Sequence, residues 1–300
     1  MTLIAIVVAL ALELFVARIE SWREPRWLDR YAAWVQRLLG RWGVWDGPVG
    51  VIALLVLPLI PVVLIQSWLH GVWLGLPALI YGVVVLSYCF RYHSVDRAVE
   101  QFCDAVESGA NDRAGEAVVN VMGPGRPASP APVRDMTDAV LVQSVERLFA
   151  VLFWFVLLGP LGAALYRISW FADQRASSES DVEPGFTAAA RRLHGILLWL
   201  PARLTAVAYA LAGSFEDALH DWRNGTDFAP VDLVAGSEEV LQLSGFGALQ
   251  SDRHAAPEAH GEGGAELDVS ALKAAHGLVL RALVIWVTAV ALVTLAGWAY

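Results

Sequence analysis

Two ionisable side chains lie inside apolar runs that are long enough to be membrane helices. Arg203 stands near the middle of LHGILLWLPARLTAVAYALAG (193–213), two residues after Pro201, and Glu13 lies late in the first apolar run. An arginine at the centre of a bilayer span costs roughly 2.5–3.5 kcal/mol on insertion scales. A buried ion pair that holds the bundle together, or a functional site, would offset that cost. The pattern leaves both open.

The depth of the two residues allows a direct pair. Each lies about ten residues into its run, so at a rise of roughly 1.5 Å per residue both reach a depth of about 15 Å, provided that the two spans run in the same direction. Pro201 removes one backbone donor and leaves a carbonyl in the preceding turn free, and we expect the Arg203 guanidinium to bond to it. The sequence predicts a Glu13–Arg203 pair at a polar centre of the bundle.

Other chemistry-bearing patterns are missing from the chain. There is no Gly-x-x-x-x-Gly-Lys-Ser/Thr phosphate loop, since the single lysine, Lys273, has no glycines before it. Cys89 and Cys103 have neither disulfide nor zinc spacing, and His254 and His260 stand in a polar linker. We therefore predict no catalytic set and no metal site, and the cofactor stays unknown. The net charge of −9 argues against nucleic-acid binding.

The elements that would position these residues are membrane helices. The chain is 57% hydrophobic and 17% charged, with a mean hydropathy of +0.52, whereas soluble domains average about 25% charged residues. Its apolar runs approach the roughly 17–25 residues that cross a bilayer as helix. We predict an all-α polytopic membrane bundle with about six membrane helices, at 1–17, 49–69, 72–90, 148–166, 193–213 and 282–300.

Two inserts separate these spans, at 91–147 and 214–281. Both contain amphipathic helical patterns, including one at 237–250 with Ser237 as its N-cap. The stretches 123–135 and 251–266 are rich in Pro, Gly and small polar residues, which predicts mobile linkers. The sequence therefore predicts two small helical inserts.

The distribution of arginine predicts the orientation. Loops 18–48 and 91–147 hold six Lys or Arg residues each and loop 214–281 holds four, while the 167–192 loop also holds four. Because cytoplasmic loops carry an excess of Lys and Arg, we expect the first three to be cytoplasmic and 167–192 to lie outside. Two variants remain: an interfacial first run, or a 148–213 hairpin that does not fully cross.

Three segments resemble a known family. They are ERLFAVLFWFVLLGPLGAALYRIS (146–169), LLWLPARLTAVAYALAG and FEDALHDW, and they resemble the AmpE family, inner-membrane proteins of Gram-negative bacteria linked to induction of the chromosomal β-lactamase. The resemblance implies a multi-pass protein of the bacterial inner membrane. It also implies an accessory or sensor role, acting through a regulatory protein partner or a cell-wall-derived small molecule.

The same segments are similar to the CobD/CbiB group, the membrane-bound cobinamide-phosphate synthases of cobalamin assembly. Leu152–Phe155, Gly162–Tyr166 and Trp199–Leu204 match that group. The synthases have an acidic stretch ending in Asp-Gly before the Phe-Trp-Phe span, whereas VLVQSVERLFAV here leaves one carboxylate, Glu146. An ATP-dependent amide-forming site should want several carboxylates for magnesium, so we expect the scaffold to persist without that chemistry.

The sequence therefore predicts a regulator of β-lactamase induction. Two rivals remain open: a diverged ATP-dependent enzyme related to cobinamide-phosphate synthase, and a transporter of a small solute. The bilayer is the expected partner in each case. The residues predicted to form a functional or polar core are Glu13, Glu146, Trp199, Pro201 and Arg203.

Overall fold

The computed structural model describes residues 2–15, 26–40, 45–69, 76–90, 92–122, 132–178, 183–215, 232–254 and 269–296. Within these ranges every regular element is a helix, so the predicted all-α fold is confirmed. A π-helical turn, Val145–Phe149, joins α7 to α8. The α-helices are α1 (Thr2–Phe15), α2 (Arg26–Gly40), α3 (Pro48–Leu69), α4 (Leu76–Cys89), α5 (Tyr92–Glu107), α6 (Asn111–Met122), α7 (Pro132–Ser144), α8 (Ala150–Leu158), α9 (Pro160–Ser178), α10 (Pro184–Ala212), α11 (Leu233–His254) and α12 (Val269–Leu295).

Five helical segments are long and apolar enough to cross a bilayer, which makes the chain a multi-pass membrane protein. The first helix, α1, is apolar but has only 14 residues. The prediction of about six spans therefore exceeds by one the number of candidates among the described residues. The five segments are Pro48–Leu69, Leu76–Glu107, Val133–Leu158, Pro184–Ala212 and Ser270–Leu295.

The chain divides into two compact units. The first comprises Met1–Arg91, Ala150–Leu197 and Val290–Tyr300, and the second comprises Tyr92–Phe149 and Leu198–Ala289. The division falls within two long helical segments, so each unit is built from stretches that are distant in the sequence.

Helix α9 packs antiparallel to α3 along its length in the first unit. Near the end of α3, the Gln66 side-chain amide accepts a hydrogen bond from the Leu161 N–H (3.1 Å) and donates one to the Leu158 carbonyl (3.4 Å). At the other end, the first turns of α3 share a buried core with the second half of α9. That core includes Val51, Leu54, Leu55, Ile168, Phe171, Ala172 and Ala176.

Gly159 makes the return of the chain possible. Its φ of +66° lies in the left-handed region, which an L side chain adopts only at a cost. A Cβ at Gly162 would lie 2.0 Å from the Trp154 carbonyl oxygen, so the chain folds back with backbone against backbone. The chain breaks and reverses here, so the predicted span 148–166 is not one continuous helix.

The reversal changes the predicted topology. Trp45, just before α3, stacks on Phe186 near the start of α10, with ring centroids 4.6 Å apart. Asp46 Oδ1 accepts the Phe186 N–H at 3.1 Å. Parts of loops 18–48 and 167–192 therefore lie together, and the prediction that these loops face opposite sides of the membrane is wrong. The reason is α9, which runs antiparallel to α3 and returns the chain to the end at which α3 begins. Its polar second half did not predict a helix of this length.

Tyr31 of α2 compensates a proline inside α3. Pro58 removes the backbone N–H that would bond to the Leu54 carbonyl. The Tyr31 hydroxyl donates to that carbonyl at 3.3 Å and lies 3.2 Å from the Ala53 carbonyl. Burial raises the pKa of Tyr31 to about 12, so the hydroxyl stays protonated and remains a donor.

In the second unit, α11 begins earlier than predicted. Asp232 Oδ1 accepts the N–H groups of Val234 (2.9 Å) and Ala235 (3.4 Å), so Asp232 is the N-cap. Ser237 lies inside the helix, fully buried, and donates to the Leu233 carbonyl. The predicted cap at Ser237 is wrong.

The predicted linkers fall mostly outside the described residues. Residues 123–131 and 255–266 belong to that part of the chain. The last residues assigned to the first linker open α7 at Pro132, a position that tolerates proline because the first helical N–H has no partner in the helix.

Candidate functional site

The second unit contains two buried charges on the π-helical turn. Glu146 is 3% exposed and Arg147 is 8% exposed. Single-turn π-helices inside α-helices occur frequently at functional sites. A buried ionised group is costly unless it is hydrogen-bonded and near an opposite charge. The contacts of Glu146 and Arg147 therefore define the first part of the candidate site.

Gln143 joins these two charges. Its Nε2 donates to Glu146 Oε2 at 2.9 Å, and its Oε1 accepts from Arg147 Nε at 2.9 Å. The amide thus presents its donor to the carboxylate and its acceptor to the guanidinium. This arrangement satisfies both ends of a buried amide and couples the two charges through one side chain.

Arg147 ties the π-helical turn to α5 and α6. Its Nη1 donates to Ser94 Oγ at 2.5 Å, and its Nη2 donates to the Val121 carbonyl at 2.8 Å. Three helical segments therefore meet on one guanidinium, whose planar fork suits several simultaneous acceptors. The position of the start of α5 depends on this residue.

A carboxylate–imidazole pair lies two residues further along α5. Asp96 Oδ1 is 3.0 Å from His276 Nε2 of α12, and the two side chains are 33% and 27% exposed. A carboxylate at this distance from a ring nitrogen orients the imidazole. A His–Asp pair that solvent can reach is suited to proton transfer.

Aromatic side chains surround the π-helical turn. The Phe149 ring meets Tyr209 edge to face, with centroids 6.4 Å apart, and lies 5.9 Å from Trp286. The buried Tyr209 hydroxyl donates to the Leu141 carbonyl at 2.9 Å. Helix α10 therefore packs on the turn through the Tyr209 ring and bonds to α7 through the Tyr209 hydroxyl, while α12 packs on the turn through Trp286.

Trp199, Pro201 and Arg203 come together on α10 of the same unit. The half-buried Arg203 guanidinium carbon lies 4.1 Å from the Trp199 ring centroid, and Nη1 donates to the Trp199 carbonyl at 3.1 Å. A guanidinium over an indole is a cation–π contact, which is stronger away from water. This contact offsets part of the cost of the charge within its own helix.

Pro201 does free a carbonyl, but a different side chain bonds to it. The carbonyl four residues earlier is that of Leu197, and the Trp154 indole Nε1 donates to it at 3.0 Å. The prediction that Arg203 takes the freed carbonyl is wrong, because the Trp154 indole occupies it and Arg203 bonds to the Trp199 carbonyl, two residues further on.

Glu13 is buried on α1, 3% exposed, in the first unit. Arg203 belongs to the second unit. The Glu13–Arg203 pair therefore stays a prediction.

Sequence reasoning missed most of this site. Arg147 entered the arginine count only as a loop charge, although it directly follows Glu146 and precedes the apolar run. Gln143 stands three residues before Glu146, a spacing that places two helical side chains side by side. Ser94, Asp96 and His276 come from distant segments, so no local pattern connects them.

A dedicated magnesium site would need several oxygen ligands close together. Over the ranges that the structure describes, no three His, Cys, Asp or Glu side chains converge to hold a metal ion. We assign no metal ligand and derive no step through a metal.

Comparison with known proteins supports the resemblance to the CobD/CbiB group that the segments of α8, α9 and α10 carry. The family model described as CobD/Cbib protein matches residues 6–256. The chain belongs to the CobD/CbiB family. Two proteins named cobalamin biosynthesis protein CobD, from Stutzerimonas stutzeri and Chromobacterium violaceum, are each 34% identical to it, over 131 and 129 residues. These matches span 42% and 43% of this chain and 43% and 40% of the two relatives. No solved structure matches the chain.

This membership corrects the predicted function. The regulatory role in β-lactamase induction is wrong, because the family match and both relatives point to cobalamin biosynthesis. The regulatory partner or cell-wall-derived ligand that was predicted with that role has no contact here that tests it and stays a prediction.

Proposed function

We propose that this CobD/CbiB family member is a multi-pass enzyme of a bacterial inner membrane that acts in cobalamin biosynthesis. The reaction is the one that the synthase resemblance implies, an ATP-dependent amide bond between a carboxyl group of a corrinoid and an amino alcohol. The family match over residues 6–256 carries the proposal, since it covers the matching spans and the Gln143–Glu146–Arg147 network, while His276 lies beyond it.

Amide formation needs two events that side chains can assist. ATP converts one carboxylate oxygen into a phosphate-bearing leaving group, and the amine then attacks the carbonyl carbon while the phosphate departs with its electron pair. The attacking nitrogen must also lose a proton. We assign that proton to His276 Nδ1, with Asp96 holding the imidazole through Nε2 at 3.0 Å.

The buried network supports this assignment by positioning. Arg147 bonds to Ser94, two residues before Asp96, so it fixes the first turn of α5. Gln143 and Glu146 in turn hold Arg147 and balance its charge. Arg147 is a positioning residue in this proposal, since its contacts here are with the protein.

The missing Asp-Gly stretch does not decide against this chemistry. Mg²⁺ that arrives on nucleotide phosphates keeps several waters and needs only one or two protein carboxylates. The expectation that several carboxylates are required was therefore too strict. The proposal therefore requires no dedicated metal cage.

Genetic complementation tests this proposal. The chain is expressed in a cobalamin-producing bacterium whose own family member has been deleted, on a medium where growth requires cobalamin. We expect the chain to restore growth and His276→Gln to fail, while added cobinamide phosphate restores growth in every strain. No growth with the wild-type chain, although the protein accumulates in the membrane, would contradict the proposal.

A further inference from the structure

Three contacts place α2 at one end of the first unit. Tyr31 bonds to the Leu54 carbonyl, in the second turn of α3. The Trp27 indole N–H donates to the Tyr88 hydroxyl at 2.5 Å, next to the last residue of α4. Arg175, in the last turn of α9, donates to the Gln36 side chain at 3.4 Å. Helix α2 therefore lies where α3 begins and where α4 and α9 end, at one end of membrane helices.

One face of α2 is buried against the protein. Leu28, Ala32 and Val35 are 5%, 0% and 2% exposed and belong to the core shared with α3 and α9. Their spacing of four and three residues is that of one helix face. This face fixes the rotation of α2 about its axis, and with it the direction of the remaining side chains.

A second apolar stripe on α2 is about half exposed among the described residues. Trp27, Trp34 and Leu38 are 49%, 49% and 47% exposed. Their spacing of seven and four residues puts them on one face, distinct from the buried one. Two exposed tryptophans on one surface helix are uncommon in a protein that meets only water, because indole area exposed to water is costly.

Arginines border this stripe. Arg30 and Arg37 are both exposed, and at about 100° per residue they lie roughly 60–80° from the stripe, on the side away from the core. Helix α2 thus presents, in rotational order, a protein-facing side, an exposed apolar stripe and a basic edge. That order matches helices that lie in a membrane interface, with aromatic rings towards the acyl chains and basic groups at the phosphates.

We infer that α2 is an interfacial helix that binds the anionic phospholipids of one membrane leaflet. The stripe of Trp27, Trp34 and Leu38 inserts at the boundary between headgroups and acyl chains. Arg30 and Arg37 bind lipid phosphates and enrich anionic lipids locally.

The surroundings of α2 favour lipid over a second protein copy. Its neighbour α3 is the least enclosed of the candidate spans, with 22% of its apolar window buried. Ile52 and Val56, in the early turns of α3, are 57% and 45% exposed. A helix packed on the end of such a span meets the bilayer surface, and tryptophan is enriched at that level.

Depth-dependent fluorescence quenching tests the inference. The full-length protein carries a bimane on Leu38→Cys, after replacement of Cys89 and Cys103 by serine and alanine, in vesicles of phosphatidylcholine with phosphatidylglycerol. We expect lipids brominated near the headgroup to quench this probe strongly. A probe on Gly40→Cys, on the polar side of the same helix, should be quenched much less.

Lipid selectivity is measured with nitroxide-labelled lipids at equal mole fraction. Quenching of the Leu38 probe by phosphatidylglycerol should exceed that by phosphatidylcholine by roughly fivefold per bordering arginine, since each basic residue near an anionic surface adds about that factor. The ratio should fall towards one with Arg30→Gln and Arg37→Gln together, or in high salt. A matched probe on Ser67→Cys, at the far end of α3, should give a ratio near one throughout.

Two results would overturn the inference. One is a Leu38 probe that no membrane lipid quenches, which would mean that water or a second copy covers the stripe. Disulfide trapping between Leu38→Cys chains would identify the second copy. The other is equal quenching by the two lipids in the unmodified arginine background.

Discussion

Arg147 shows how one side chain can organise a membrane protein site. It donates to a side-chain amide, a hydroxyl and a backbone carbonyl on three different segments. No lysine could do the same, because an ammonium on a flexible stem lacks the planar fork. The sequence did not identify Arg147 as a site residue, because an arginine just before an apolar run is also expected from the enrichment of basic residues at the ends of membrane spans.

Replacing Arg147 by methionine should destabilise the protein strongly. The substitution removes the guanidinium N–H groups that donate to Gln143, Ser94 and the Val121 carbonyl. It also removes the positive charge near the buried Glu146 carboxylate. We expect a loss of about 3–5 kcal/mol in unfolding free energy. The matched control is Arg113→Met, an exposed arginine of α6, which should change stability by no more than about 0.5 kcal/mol. Thermal unfolding in mild detergent measures both; equal midpoints would contradict the network.

His276 and Asp96 should act as one unit in catalysis. We expect His276→Gln to lower the turnover number by about 10²–10⁴, with thermal stability unchanged because both side chains are partly exposed. The double variant with Asp96→Asn should be no slower than the worse single variant, since residues of one unit are not additive. Acceptor-dependent ATP turnover is the measurement. Full activity of His276→Gln would remove the pair from the mechanism.

At the scale of elements, the sequence predicts helices well and their connections poorly. The apolar runs mark the core of α3, α4, α10 and α12, because burial in lipid requires continuous apolar residues. Continuous apolar residues did not predict the full length of α9, because its polar second half is buried against other helices instead of meeting lipid.

Proline compensation was predictable only in part. Pro58 and Pro201 each predict a carbonyl without its helical partner four residues earlier, because proline has no backbone N–H to donate to it. The donors that occupy those carbonyls, Tyr31 and Trp154, lie 23 and 43 residues from their acceptors. Such partners follow from tertiary packing, and a single sequence contains no local signal for them.

Replacement by alanine should change stability in opposite directions at two glycines, Gly159 between α8 and α9 and Gly115 inside α6. Gly159→Ala should destabilise by about 1–2 kcal/mol, since an L residue at positive φ is strained. Gly115→Ala, in the open interior of α6, should stabilise by about 0.4–1 kcal/mol by restricting the unfolded chain. Unfolding midpoints of the two variants are compared; a destabilised Gly115→Ala or a neutral Gly159→Ala would contradict the helix assignments.

At the scale of the whole molecule, the reversal of the chain at Gly159 returns the 167–192 loop, with its arginines, to the end of the first unit where α3 begins. The 167–192 loop held four of them and stood against the predicted orientation. Its contacts with Trp45, Asp46 and α2 put it beside the described residues of the 18–48 segment. The basic residues of the two segments then add, in agreement with the rule that basic loops share the cytoplasmic face.

Cysteine labelling checks this arrangement. With Cys89 and Cys103 replaced, Gly40→Cys and Ser178→Cys should both resist a membrane-impermeant thiol reagent in intact spheroplasts and react in inverted vesicles. Ser67→Cys, at the other end of α3, should react in spheroplasts. Opposite accessibility at positions 40 and 178 would restore the alternating six-span order and contradict the antiparallel packing of α9 on α3.

The central claim is that this membrane bundle forms an amide bond on a corrinoid, and one reconstitution tests it most directly. The purified chain in lipid nanodiscs receives ATP, magnesium, a corrinoid carboxylic acid and an amino alcohol, and products are followed by mass spectrometry. The account predicts a product with the mass of both substrates less one water, with ATP turnover that requires both of them. It also predicts that this product is lost in His276→Gln. No product from folded, monodisperse protein with ATP, magnesium and both substrates present would contradict the claim.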